Sequence, residues 1–336
     1  MKFTTDLNNL LNIRLPVIMA PMFLVSNEAM IKAAIDGGLM GVFPSLNYRN
    51  KGELSEVIQK CNFYKNQNPG SGNYGINLIV QKSNPLYESH LEICVEGKVP
   101  FYITSLGSPQ EVIRQAHAYG AKVFCDVTNL VHADKCAKLN CDGFIAVGQG
   151  AGGHAGPNPL SVLVPALRQS FPEIPVIAAG GIATGAGILS MIALGASGVS
   201  IGTRFIASTE ATVSDAYKNA VIESGMEDIV LTERLSGTPC TIIDTPYSKK
   251  IGYTQNWFEK QFSKNATTRK YFKMLVQVRG MKKLEEAVKP GNYNNLWCAG
   301  KSVALIENIL PCRDIILNLE NEMGESWLLM KQTVTE

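Results

Sequence analysis

The sequence predicts an α/β protein, a (β/α)8 barrel with a smaller, mainly helical second domain. Two observations predict the barrel. Eight short apolar runs alternate with amphipathic stretches between the N-terminus and about residue 207. The runs are apolar on both faces, as parallel strands covered by helices must be. In order they are LPVIMAPM (15–22), LMGVFPS (39–45), YGINLIV (74–80), VPFYITSL (99–106), AKVFCDVT (121–128), GFIAVG (143–148), PVIAAGG (175–181) and GVSIGTRF (198–205). An open doubly wound sheet uses the same alternation, but eight units in about 200 residues fit a closed barrel, whose active site lies at the C-terminal strand ends. Helix starts are legible at Ser26 with Glu28 behind it, at Ser108-Pro109 with Glu111, and at Thr184.

After Phe205 the character changes. Residues 211–290 are more polar and lack the βα alternation, so they read as a separate, mainly helical subdomain. It includes a lysine- and aromatic-rich stretch at 247–274, which a nucleic-acid surface would also show. A formal net charge of +2 favours a solvated subdomain with inward aromatics, and no nucleic-acid partner is expected. Residues 292–319 recover helical periodicity and are expected to pack back on the barrel. The domains are therefore 1–210 with 291–336, and 211–290. Leaving the barrel after its last strand, 211–290 should cap the C-terminal mouth, with Tyr253, Trp257 and Phe258 packing it or lining the route inward.

A composition of 46% hydrophobic and 18% charged residues describes an ordinary globular chain. The longest apolar run, LPVIMAPMFLV, is shorter than the roughly 18 residues of a membrane span and is broken by Pro16 and Pro21. Asp6, Asn8, Asn9 and Arg14 stand where a signal peptide needs an apolar stretch, so a cytoplasmic location is expected. Eight scattered cysteines form no CxxC pair, which reads as buried free thiols in a reducing compartment and argues against a metal site.

The chemistry-bearing motifs fall at predicted strand ends. PVIAAGGIATG ends a strand in Gly180-Gly181, and GASGVSIGTRF ends the next in Gly202-Thr203. Backbone N–H groups at two neighbouring glycine turns, the first opening onto a helix, suit a phosphate. They would follow strands seven and eight, where barrels commonly hold one. Ala20-Pro21-Met22 ends the first strand and can face a flat ring. Asn77, Asp126 and Gln149 are polar residues in or just after three other apolar strands, and together suggest hydrogen bonds to a heterocycle. The loop GQGAGGHAGP (148–157) carries His154 among five glycines. Neither a dinucleotide GxGxxG after the first strand nor a GxxxxGK[ST] loop is present.

AAGGIATG, GASGVSIGTRF, the GGH motif and the APM start resemble the nitronate monooxygenase family, over about residues 13–211 and again at NLWCAGKSVALIENI (295–309). Its relatives include flavin-dependent enoyl-ACP reductases and quinone reductases of the same fold. The resemblance implies a TIM barrel binding FMN non-covalently. Ring contacts then fall on Ala20, Pro21, Met22, Asn77, Gln149 and Gly152, phosphate contacts on Gly180, Gly181, Gly202 and Thr203, and the catalytic histidine on His154. The glycines would let the loop bring His154 over the flavin. Two departures stand out. QGAGGH is two residues shorter than the QGxEAGGH of many members and lacks its acidic residue, and Asp126 stands where some relatives carry lysine. The implied activity is oxidation of alkyl nitronates, and of nitroalkanes if they are accepted, with O2. The alternative is an NAD(P)H-dependent reductase of an enoyl thioester or quinone. Partners are a small molecule and O2, with NAD(P)H and a homodimer left open.

Overall fold

The computed structural model describes residues 3–70, 72–81, 83–233, 239–254 and 296–333. Eight parallel strands close a barrel: β1 (Val17–Met19), β2 (Met40–Pro44), β3 (Asn73–Ile79), β4 (Phe101–Ser105), β5 (Lys122–Val127), β6 (Gly143–Val147), then, past a short β7 (Gly153–His154) in a separate sheet, β8 (Val176–Ala179) and β9 (Gly198–Ile201). Pairing of β1 with β9 seals it. A plugging helix α1 (Asp6–Leu11) precedes the barrel. The crossovers carry α2 (Glu28–Asp36), α3 (Glu53–Gln67), α4 (Tyr87–Glu96), α5 (Gln110–His117), α6 (Leu130–Ala137), α7 (Leu160–Ser170) and α8 (Gly185–Ala193). All eight expected strands are present. Thr184 caps α8 by accepting from the Gly187 amide at 3.1 Å, as its position in the sequence suggests. The cap of α2 is Asn27 rather than Ser26. The Ser26 hydroxyl instead accepts from the Met22 amide at 2.9 Å and braces the loop after β1.

The strand period of two sorts side chains between two cores. Tyr74, Ile76 and Leu78 of β3 face the helices, in the larger cluster. Ile18, Met40, Val42, Phe101, Ile103, Phe124, Ile145 and Ile177 fill the barrel interior. Phe101 and Phe124 meet edge to face, 5.1 Å between centroids. They fit because two flanking positions are glycine: a Cβ on Gly75 would lie 2.5 Å from the Phe101 ring, and one on Gly143 2.5 Å from the Phe124 ring. Leu7 and Leu11 of α1 join this interior cluster and close the N-terminal end, where a Cβ on Gly198 would lie 2.5 Å from Leu7.

After β9 the chain forms α9 (Thr203–Ile206) and α10 (Asp215–Glu223), then β10 (Ile229–Thr232), β11 (Cys240–Ile243) and α11 (Pro246–Ile251). β10 and β11 pair antiparallel, and β11 adds β7 on its other edge, a sheet that the polar composition of this region did not announce. Trp257 and Phe258 lie outside the described residues. The C-terminal segment ends in α12 (Cys312–Gln332), which packs on α8. Glu322 accepts from the Gly185 amide at 2.7 Å, and a Cβ on Gly185 would lie 2.2 Å from the Met323 nitrogen. Among the described residues no helix is long and apolar enough to cross a membrane.

Candidate active site

Inward positions near the C-terminal strand ends face the mouth. Two residues beyond Ile18, Ile103 and Phe124 stand Ala20, Ser105 and Asp126, while Asn77 takes the inward place between outward Ile76 and Leu78. On β3, β4 and β5 polar residues thus follow the apolar interior toward the mouth. They are joined. The Asn77 amide donates to the Ile103 carbonyl oxygen at 3.1 Å and to Ser105 Oγ at 2.8 Å, and Ser105 Oγ donates to Asp126 Oδ2 at 2.5 Å. Ser105 was missed in the sequence, although its inward register after Ile103 in YITSL was readable. Burial pushes the Asp126 carboxyl up to about 6, against the lowering effect of the Ser105 hydrogen bond.

Three glycine-bearing segments meet beside this ring. A Cβ on Gly180 would lie 2.7 Å from the Ala151 nitrogen, and one on Gly152 2.8 Å from the Gly300 nitrogen. One on Gly300 would lie 2.5 Å from the Gly150 carbonyl oxygen. Contact of backbone with backbone therefore explains much of the glycine in GQGAGGH without reference to any ligand, and it could not be seen in the sequence because Gly300 is about 150 residues away. Gly181 differs. Its φ is +74°, it is exposed, and a Cβ there would meet nothing closer than 3.8 Å, so its backbone faces open space.

Across the barrel seam, the Ala20 amide donates to the Ile201 carbonyl at 2.9 Å. A Cβ on Gly202 would stand 3.5 Å from Ala20 Cβ and 3.6 Å from Met22 Sδ, so Ala20, Met22 and Gly202 are neighbours, with Pro21 half-buried between the first two. Thr203 Oγ1 accepts from the Gly300 amide at 3.0 Å, leaving its single proton for a second partner. Gln149 is exposed just past β6, its amide donating to the Asn158 carbonyl at 2.9 Å.

His154 is held by the second sheet. β7 pairs with β11 so that His154 lies opposite Cys240, and Thr241 Oγ1 donates to the Ala151 carbonyl at 2.6 Å. The loop is thereby a strand edge clamped from the 211–254 region. The His154 residue keeps an exposed side, yet crowding by protein disfavours its charged form and lowers its pKa below the ordinary histidine value. Among the described residues no group of three or more His, Cys, Asp or Glu side chains converges as a metal site.

A closed (β/α)8 barrel with polar groups and open glycine backbone at its C-terminal mouth defines a cofactor-binding barrel enzyme. The chain belongs to the nitronate monooxygenase family, whose model matches residues 4–322, and is a flavin-dependent oxidoreductase of that family. It is 27% identical to the (3aS,4S,5R,7aS)-5-hydroxy-7a-methyl-1-oxo-octahydro-1H-indene-4-carboxyl-CoA dehydrogenase of Rhodococcus jostii RHA1, over 75% of this chain and 69% of that one. It is 35% identical to a probable nitronate monooxygenase of Staphylococcus aureus Newman over 45% of each chain. FabK from Thermotoga maritima superposes with a TM-score of 0.84 at 28% identity, covering 99% of this chain and 100% of that one.

Proposed function

We propose that the protein binds FMN at the C-terminal mouth and oxidises alkyl nitronates with O2. One observation supports this most: joined inward polar residues and the open backbone of Gly181 stand at C-terminal strand ends, with His154 on the loop after β6, in a chain matched by the family along residues 4–322. The residues suit a flavin. Gly180, Gly181, Gly202 and Thr203 offer backbone N–H groups and a hydroxyl proton to its phosphate. Ala20, Pro21, Met22, Asn77, Asp126, Gln149 and Gly152 would contact the ring. The flavin would supply electron acceptance and reaction with O2. His154, neutral at pH 7, would offer a ring N–H to the nitro oxygens. Residues 211–290 are read as the substrate-facing subdomain over the 1–210 and 291–336 barrel. The eight cysteines are all free thiols, which supports a reducing cytoplasm.

A second reading is an NAD(P)H-dependent flavin reductase of an enoyl thioester or quinone. The match to a CoA-thioester dehydrogenase over 75% of the chain favours keeping it. The two separate without oxygen: a nitronate alone should bleach the flavin in the first case, and NADH or NADPH in the second.

Gly181 tests the phosphate site. Its positive φ is one that Asn and Asp adopt more readily than other side chains, so Gly181→Asn and Gly181→Asp strain the turn alike. The aspartate alone adds a charge that repels phosphate. We expect Gly181→Asp to weaken FMN at least about tenfold more than Gly181→Asn, with both folded by circular dichroism. Equal FMN affinity in the two variants would place the phosphate elsewhere.

A further inference from the structure

With Asp126 ionised, the hydrogen bonds among Asn77, Ser105 and Asp126 run in a single direction. The Ile103 backbone carbonyl can only accept, so the Asn77 group beside it is the NH2. That same nitrogen lies 2.8 Å from Ser105 Oγ, which must therefore accept from it. Ser105 has one proton, and it goes to Asp126 Oδ2 at 2.5 Å. Among the described residues Asp126 Oδ2 is the acceptor that the Ser105 hydroxyl meets, so a proton taken up on Oδ2 would strand that hydroxyl, and Oδ1 is the oxygen left to carry it. We propose that Asp126 is the proton-bearing group of the mouth, oriented by the Asn77–Ser105 chain to carry its proton on Oδ1 and offer it to an anionic ligand.

The ligand half rests on the nitronate reading. A nitronate is an anion, and so is a carboxylate of the same shape. With its proton, Asp126 donates a hydrogen bond to such an anion. Without it, two negative charges share a partly desolvated site and repel. Burial raises the group to about 6, so the change falls on the acid side of neutrality. Few other charges interfere. β4 contributes only the neutral Ser105 at this level, and β6, GFIAV, has no ionisable side chain. From α6 the Cys136 thiol feels the Asp126 charge. The α5 groups are engaged elsewhere, Arg114 with Glu111 and His117 with Asp142, and Lys122 of β5 also pairs with Asp142. For His154, on the loop after β6, burial is the cause of the shift and the Asp126 charge is not among its causes.

The test uses FMN-loaded protein and two readouts. The first is the carboxyl-carbon NMR resonance of Asp126, assigned by its loss in Asp126→Asn. It should titrate near pH 6 instead of the usual aspartate value of about 3.9. Ser105→Ala removes the hydrogen bond to the charged form and should move the transition up. Ser105→Thr keeps the hydroxyl and should restore it. The second readout is binding of isobutyrate, the carboxylate isostere of propane-2-nitronate, by flavin difference absorbance over a range where isobutyrate stays ionised. Wild-type affinity should fall up to about tenfold per pH unit above the transition. Asp126→Asn, neutral throughout, should flatten that dependence, which also separates Asp126 from His154. An ordinary aspartate transition, or one unmoved by Ser105→Ala, overturns the proton placement while leaving the nitronate reading intact. A wild-type slope persisting in Asp126→Asn overturns the link to the ligand. No isobutyrate binding at any pH, with the carboxyl transition in place, overturns the nitronate reading and the ligand half while the proton placement stands.

Discussion

Asp126 stands near the end of β5 and His154 on the loop after β6, and their environments shift them in opposite senses. Burial raises Asp126 and lowers His154, because in each case it is the charged form that low polarity disfavours. At neutral pH the imidazole is therefore uncharged, able to donate one hydrogen bond or to accept a proton. The two jobs separate with substrate charge. A nitroalkane must lose its α-proton before it gives up electrons, whereas a nitronate already has. If His154 is a general base, His154→Ala should cut nitroalkane oxidation by about 10²–10⁴-fold while affecting nitronate far less. If it only donates to the nitro oxygens, both rates should fall alike. The sign of the pH effect follows from the lowered pKa. The base form persists to more acid pH than in free histidine, so base-dependent turnover should decline only below about 6.5. Unchanged turnover of both substrates by flavin-loaded His154→Ala would end the catalytic assignment.

At the scale of elements, the loop bearing His154 is shaped from three directions: by Gly180 after β8, by Gly300 in the C-terminal segment, and by β11 pairing with β7. Two glycine substitutions distinguish packing from mere flexibility. A Cβ on Gly300 would lie 2.5 Å from the Gly150 carbonyl oxygen and 2.9 Å from the Gly152 nitrogen, and backbone yields poorly. Gly300→Ala should cost about 1–3 kcal/mol and disturb His154. Gly324 sits within α12 with nothing within 4 Å of a Cβ, so Gly324→Ala should stabilise by about 0.5–1 kcal/mol. Denaturation midpoints of the two variants check both signs. The strands that carry or precede Ala20, Asn77, Asp126, Gly180 and Gly202 were legible because each is an apolar run of the right length. The clamp was not. β7 is only two residues long and β11 lies beyond a change in composition, so no local periodicity marks either.

For the whole molecule, the barrel separates stability from chemistry along its axis. α1 plugs the N-terminal end with Leu7, fully buried in the interior cluster, while the candidate site lies at the opposite end. Leu7→Ala should therefore destabilise the fold by about 2–5 kcal/mol and leave FMN affinity unchanged, as denaturation and flavin titration would report. A loss of flavin in a folded Leu7→Ala protein would show that the two ends are coupled. The sequence by itself determined the eight-unit architecture, the strand ends and the types of group placed there, because strand and helix periods and turn residues are local signals written every few residues. Only the tertiary structure decided that β1 closes on β9, that Gly300 seats the GQGAGGH loop, that the edge of β11 holds His154, and that Ser105 joins Asn77 to Asp126. These are contacts between residues far apart in the chain or on neighbouring strands. Their partners are chosen by register and closure, which no local pattern encodes.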